Sequence, residues 1–161
     1  MIPQKIQPYF ITTLQKKDGE NTLVEGKLMC CNSHHFEVHA VGKIKQSIFS
    51  KMYLLPEDNK MIMEIQCKKC GKVFSVFDSN CDGYEKCEIN QSAHNTVKPI
   101  SCKKCQINDY SVTIKYEYPD IQELDNIGII EPDNAFTWIW ITLQCNKCGN
   151  MYRNFIDYET A

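Results

Sequence analysis

Cys102-Lys-Lys-Cys105 opens, and Cys145-Asn-Lys-Cys148-Gly149 closes, a stretch whose interior reads as two strands, Tyr110-Ser-Val-Thr-Ile-Lys-Tyr-Glu-Tyr118 and Phe136-Thr-Trp-Ile-Trp-Ile-Thr-Leu143. Two thiolates three positions apart on a tight turn can both face one metal ion, and two such turns complete a tetrahedron. A redox Cys-x-x-Cys would stand alone and open a helix after a strand. The paired spacing therefore predicts one Zn²⁺ site built from Cys102, Cys105, Cys145 and Cys148.

The first interior strand alternates apolar and polar residues, as a half-buried strand does. The second is apolar on both faces, which predicts a central strand covered on each side. Trp138 and Trp140 lie on one side of it with Phe136, and such a row is expected to fill the core between sheets. A last strand, Met151-Tyr-Arg-Asn-Phe-Ile156, follows the second cysteine pair.

The same plan recurs upstream. Cys30-Cys31-Asn-Ser-His34-His35 precedes the strand-like Phe36 to Val41, and Met61 to Gln66 leads into Cys67-Lys-Lys-Cys70-Gly71 and then Lys72 to Phe77. Laying Phe36 on Tyr110 puts Cys31 on Cys105, and laying Cys67 and Cys70 on Cys145 and Cys148 puts Phe74 on Tyr152, which implies an internal duplication. Three positions before Cys31, where the fourth cysteine belongs, stands Leu28. The expected first site is Cys31, His34, Cys67 and Cys70, with Cys30 the alternative to His34 and His35 third. Two Zn²⁺ per chain follow.

Around these units, Tyr9 to Leu14 and Thr22 to Glu25 read as a hairpin that buries its β-branched and aromatic residues over the first site. The division expected is residues 1–80 for the hairpin and first unit, 81–99 for a polar linker and 100–161 for the second unit. The linker carries Cys81, Cys87 and His94 without knuckle spacing, so free thiols are expected there rather than a third site. One short helical turn is expected around Tyr84 to Ile89.

These residues resemble the zinc-ribbon superfamily: a Cys-x-x-Cys knuckle, a β-hairpin, a second Cys-x-x-Cys-Gly knuckle and a returning strand. The resemblance covers Cys102 to Asp157 and, less completely, Cys31 to Asp78. It implies a mainly β protein of two tandem antiparallel units, each around one structural zinc. The residue after each second cysteine favours a left-handed backbone, which Gly71 and Gly149 suit, Asn32 tolerates and Gln106 strains. Ribbons serve many functions, so the fold alone names none. The ligand set also suits rubredoxin-like iron, which would colour the protein red.

The chain has 161 residues, 43% hydrophobic and 24% charged, with ten cysteines and a net charge of −2. No apolar run approaches the ~18 residues of a membrane span, and the N-terminus lacks a signal-peptide core. A cytoplasmic location is expected, where thiols stay reduced and cysteine pairs bind metal.

No Gly-rich phosphate loop or nucleophile elbow appears, so no enzyme is expected. The only enzymatic hint is Glu57-Asp58, which resembles the acidic pair of transcript-cleavage ribbons but also reads as an ordinary turn. Lys68, Lys69, Lys103, Lys104 and Lys147 sit in the knuckles, where they offset the charge of a tetrathiolate zinc whatever the partner. Residues 99–161 are acidic, with five basic against nine acidic side chains. Their loop from Pro119 to Asn134 is an acidic tip carrying Ile127, Ile129 and Ile130, suited to a basic protein surface. The expected function is non-enzymatic binding to another protein. The alternatives are a nucleic-acid-binding or transcription-associated ribbon and an immunity- or antitoxin-type inhibitor.

Overall fold

In the computed structural model, which describes residues 1–47, 51–84, 96–129 and 131–160, the strands run β1 (Phe10–Asp18), β2 (Asn21–Leu28), β3 (Phe36–Val41), β4 (Lys43–Gln46), β5 (Met52–Leu55) and β6 (Ile62–Cys67). They continue as β7 (Val73–Asp78), β8 (Lys98–Pro99), β9 (Tyr110–Tyr118), β10 (Trp138–Cys145) and β11 (Met151–Glu159). One short helix, α1 (Ile121–Asn126), interrupts them. The protein is mainly β and antiparallel, as expected.

β9 is the strand on which the sheet turns. Its alternation buries Tyr110, Val112, Ile114, Tyr116 and Tyr118 on one face. One edge pairs with β10 from Tyr110↔Cys145 to Glu117↔Trp138; the other pairs with β2 from Lys27↔Thr113 to Thr22↔Tyr118 and with β3 at Phe36↔Tyr110. From β3 the sheet runs through β6 to β7, and β11 lies outside β10. The side chain of Asn108 extends the pairing: its Oδ1 accepts from the Val38 amide at 2.8 Å and its Nδ2 donates to the Val38 carbonyl at 3.0 Å.

The two arms match strand for strand near their cysteines. Phe36 pairs with Cys67 as Tyr110 pairs with Cys145. Ile65 pairs with Phe74 as Leu143 pairs with Tyr152, and each arm then has a register shift, at Met63/Glu64 and at Ile141/Leu143. The ring of Phe36 meets Phe74 edge-on, as Tyr110 meets Tyr152.

The arms share one hydrophobic core. Phe77 on β7 touches Tyr158 and Phe136 of the second arm, with centroids 5.3 and 6.5 Å apart. The β4–β5 hairpin forms a separate two-stranded sheet and lays β5 against β11.

Three features differ from the sequence reading. The hairpin β1–β2 joins the sheet through β9, a strand of the second unit, and β1 is an exposed edge with Ile11 42% and Leu14 44% accessible. Most of the hairpin's burial comes from β2, which has neighbours on both sides, while β1 contributes only Phe10 at its start. The acidic loop holds α1, capped by Asp120 on the Gln122 amide, with Leu124 buried and Ile121 and Ile127 exposed. Finally, β10 is covered on one face only. Ile139, Ile141 and Leu143 enter the core, while Trp138 and Trp140 stand half-buried on the open face. The tryptophans are not core, because among the described residues no second layer packs on that side of the sheet; Phe136, just before the strand, is buried.

Of the linker, Lys98 and Pro99 pair with β3 at Ala40 and His39. The expected turn beyond Tyr84, with Cys87 and His94, lies outside the described residues, as does Ile130. Among the described residues no helix is long and apolar enough to cross a membrane, and all nine cysteines are free thiols.

Candidate metal centres

Three of the four cysteine-bearing turns are built alike. The amides of Cys67, Cys102 and Cys145 donate to the carbonyls of Lys72, Ile107 and Asn150, and those of Gly71, Gln106 and Gly149 donate back to Cys67, Cys102 and Cys145. Closing each turn takes a left-handed residue after the second cysteine, with φ of 78° at Gly71, 76° at Gly149 and 65° at Gln106. Gln106 holds this conformation despite its Cβ, with its side-chain amide donating to the Lys103 carbonyl at 3.3 Å.

The turns bring Cys102, Cys105, Cys145 and Cys148 together, with all four sulfurs within 4.8 Å of one another. Cys102 Sγ lies 3.6 Å from Cys148 Sγ, and Cys105 Sγ lies 3.5 Å from Cys145 Sγ. A tetrahedron with Zn–S bonds of about 2.3 Å has edges of about 3.8 Å, so these separations suit a metal. They are far too long for disulfides, whose sulfurs sit about 2.05 Å apart.

The first group is Cys30, Cys31, Cys67 and Cys70, under the same 4.8 Å limit. His34 is not part of it, and the alternative, Cys30, takes its place. The cause is the backbone. Cys30 and Ser33 exchange both amide–carbonyl bonds, at 3.0 and 2.9 Å, across a two-residue turn with Cys31 at φ 53° and Asn32 at φ 58°. Positive φ at both central residues marks a type I′ turn. On an extended strand adjacent side chains point apart; here the left-handed Cys31 swings its thiol to 3.6 Å from that of Cys30, which is also 3.6 Å from Cys70.

Both histidines have other partners. His34 Nδ1 donates to the Leu28 carbonyl at 2.9 Å, and His35 Nδ1 faces the Asp109 carboxylate at 3.0 Å. Asp109 also accepts from Asn146 Nδ2 at 2.8 Å and lies 3.6 Å from Lys68 Nζ. Asn146 Nδ2 reaches the His34 carbonyl as well. A polar strap thus ties the turn at Cys30 to the turn at Cys145. Burial raises the Asp109 carboxyl, but Asn146 and His35 outweigh it and hold it below its usual value.

The thiols show why each group suits a cation. Burial pushes Cys145 and Cys30 up to about 12, the latter aided by the Cys70 thiol. Burial also raises Cys102, yet the Tyr152 hydroxyl and the amides of Cys105 and Lys104 outweigh it and bring it down to about 6. The Lys72 amide lowers Cys70 to about 7. Each group therefore has one thiol that ionises readily and one that resists. Four sulfurs this close give up all their protons only to a cation.

The remaining candidates lie elsewhere. Cys81 is exposed, with its thiol 3.6 Å from the Asp78 carboxylate. Glu57-Asp58 forms a second tight turn, with Glu57 bridged to Lys60 and positive φ at Asp58 and Asn59. Of the knuckle lysines, Lys69 Nζ donates to the Cys31 carbonyl at 2.9 Å and Lys68 faces Asp109.

Asn108, Asp109, Asn146 and the Tyr152 hydroxyl carry no local signal in the sequence, because each acts on a segment distant in the chain. No protein-family model, curated protein or solved structure matches the chain.

Proposed function

We propose that the chain is a non-enzymatic protein-interaction module of the zinc-ribbon kind, held by two structural Zn²⁺ ions. The observation that carries this is the closure of both groups: each offers four sulfurs, which fill a tetrahedron and leave no position for a substrate or a reactive water. Cys30, Cys31, Cys67 and Cys70 hold one ion, and Cys102, Cys105, Cys145 and Cys148 the other. The matched registers of the two arms support their descent from one duplicated unit. Thiols without disulfides fit a reducing compartment such as the cytoplasm.

Each zinc contributes folding free energy on the order of 10 kcal/mol, in addition to the packing of the shared core. Elemental analysis is expected to return zinc rather than iron, at about two ions per chain. A fully folded, metal-free protein would overturn the proposal.

A protein partner is favoured over nucleic acid because two of the five knuckle lysines are engaged within the chain and the second arm is acidic. An immunity- or antitoxin-type role, masking a basic partner, is one form of the same reading. Affinity capture from the native cell, alongside binding to mixed DNA and RNA at two salt concentrations, separates the classes. Salt-sensitive nucleic-acid binding with no captured protein would favour the alternative.

A further inference from the structure

The open face of β10 carries a stack with one end unfinished. Lys115 Nζ lies over the Trp140 ring, 4.1 Å from its centroid, and Trp140 stacks on Trp138 at 5.5 Å with the rings only 9° from parallel. The order is cation, indole, indole. Among the described residues no cation sits over Trp138.

What surrounds Trp138 is acidic. Its cross-strand neighbours are Glu117 on β9 and Glu159 on β11, and its Nε1 donates to Asp157 at 2.7 Å. Among the described residues none of these three carboxylates forms an ion pair. The connection through α1 leaves from the same end of the sheet and carries Glu123 and Asp125 on exposed positions, but neither is a strand neighbour of Trp138. A half-buried indole flanked by carboxylates outside any ion pair suits a cationic guest.

We infer that Trp138, Glu117 and Glu159 form a docking site for an arginine side chain on a basic polypeptide segment. The guanidinium stacks on the indole, completing the cation–indole–indole–cation series, and donates to the flanking carboxylates. Arginine suits this better than lysine because its planar guanidinium both stacks and bonds carboxylates in a fork. A single-stranded nucleic acid would also stack on indoles, but its phosphates would meet Glu117, Glu159 and Asp157. This inference rests on the protein-interaction reading and assigns that reading a surface and a partner chemistry.

Both tryptophans of the chain belong to the stack, so tryptophan fluorescence, excited selectively over tyrosine, reports on this face alone. The zinc-loaded protein is titrated with octa-arginine, octa-lysine and an oligothymidylate. Octa-arginine is expected to give a saturable change, with octa-lysine weaker and the oligothymidylate without effect. Glu117→Gln/Glu159→Gln is expected to weaken octa-arginine about tenfold, whereas Glu123→Gln/Asp125→Asn, of equal charge change, leaves it within about twofold.

Equal loss in the two double variants would reduce the binding to bulk charge and overturn the site. So would undiminished octa-arginine binding in Trp138→Leu, read by calorimetry, or a response to oligothymidylate but not to octa-arginine. A cellular protein partner that Trp138→Leu still captures would sink this surface and leave the module reading standing. Nucleic-acid binding with no protein captured would sink both.

Discussion

The Tyr152 hydroxyl stands 3.3 Å from Cys102 Sγ and accepts the Lys103 amide at 2.8 Å, so one phenol links a knuckle backbone to a ligand sulfur. Its counterpart in the first arm is Phe74, which has no hydroxyl and instead stacks on Tyr9 with centroids 4.0 Å apart. The two arms thus differ at this position: a hydroxyl bonded to the knuckle in one, an aromatic stack in the other.

Tyr152→Phe is expected to keep the fold, because only the hydroxyl is lost, and to weaken the second metal site about tenfold. Zinc transfer to a chromophoric chelator, followed over time, measures it. A variant that holds both ions as tightly as the parent would show the hydroxyl to be a bystander.

Cys30→Ser is expected to reduce metal content to about one zinc per chain, whereas His34→Ala keeps two and loses only the bond to the Leu28 carbonyl, about 1 kcal/mol. Elemental analysis with chemical denaturation checks both. The opposite pattern would return His34 to the ligand set.

A limiting chelator should take the first ion before the second. Cys31 and Cys70 are exposed, while Cys105 and Cys148 are partly covered, so the first group offers the easier approach. Cys145→Ser, tested in parallel, is expected to abolish the second site and leave the first as the only source of released zinc. Simultaneous release from the parent protein would show that access does not set the order.

Lys5 pairs with Asp82, whose side chain is only 7% accessible. Burial raises the Asp82 carboxyl despite Lys5, so its folded pKa lies above the unfolded value of about 3.9. Stability from this group is therefore full below that value and is lost as pH rises through the folded pKa. Lys5→Met leaves the buried carboxylate unpaired and is expected to cost about 2 kcal/mol at pH 7, the deficit shrinking as mild acid protonates Asp82. Thermal melts of the variant and parent at pH 5 and pH 7 test the sign; a deficit that grows in acid would refute it.

Asp109 behaves oppositely. Its folded pKa lies below the unfolded value, so its contribution is present above about 3.9 and disappears as pH falls through the folded pKa. Asp109→Ala is expected to destabilise at pH 6, and the deficit is expected to narrow as pH falls through the folded pKa of Asp109. Denaturation midpoints along that series provide the check.

The sequence made the long strands, though not β4, β5 or β8, and the three Cys-x-x-Cys turns legible because both follow local rules: period-two alternation, and a left-handed residue after the second sulfur. Cys30 was harder to read because its part depends on a type I′ turn that ordinary Cys-Asn residues adopt without a glycine, and His34 had the more familiar spacing. Trp138 and Trp140 depart from expectation for another reason. An apolar face says only that burial is favourable, not that a second layer exists to provide it. The hairpin's attachment to β9 could not be read locally at all, since it joins residues 22–27 to residues 113–118.

That attachment sets an order of events during synthesis. All four sulfurs of the first group have been made once Cys70 leaves the ribosome, so that centre can load while the second arm is still unmade. β2, however, has no partner on its inner edge until the Thr113–Tyr118 part of β9 emerges. In that interval an apolar strand edge is open to any neighbouring chain, and nascent protein should be most prone to aggregate there.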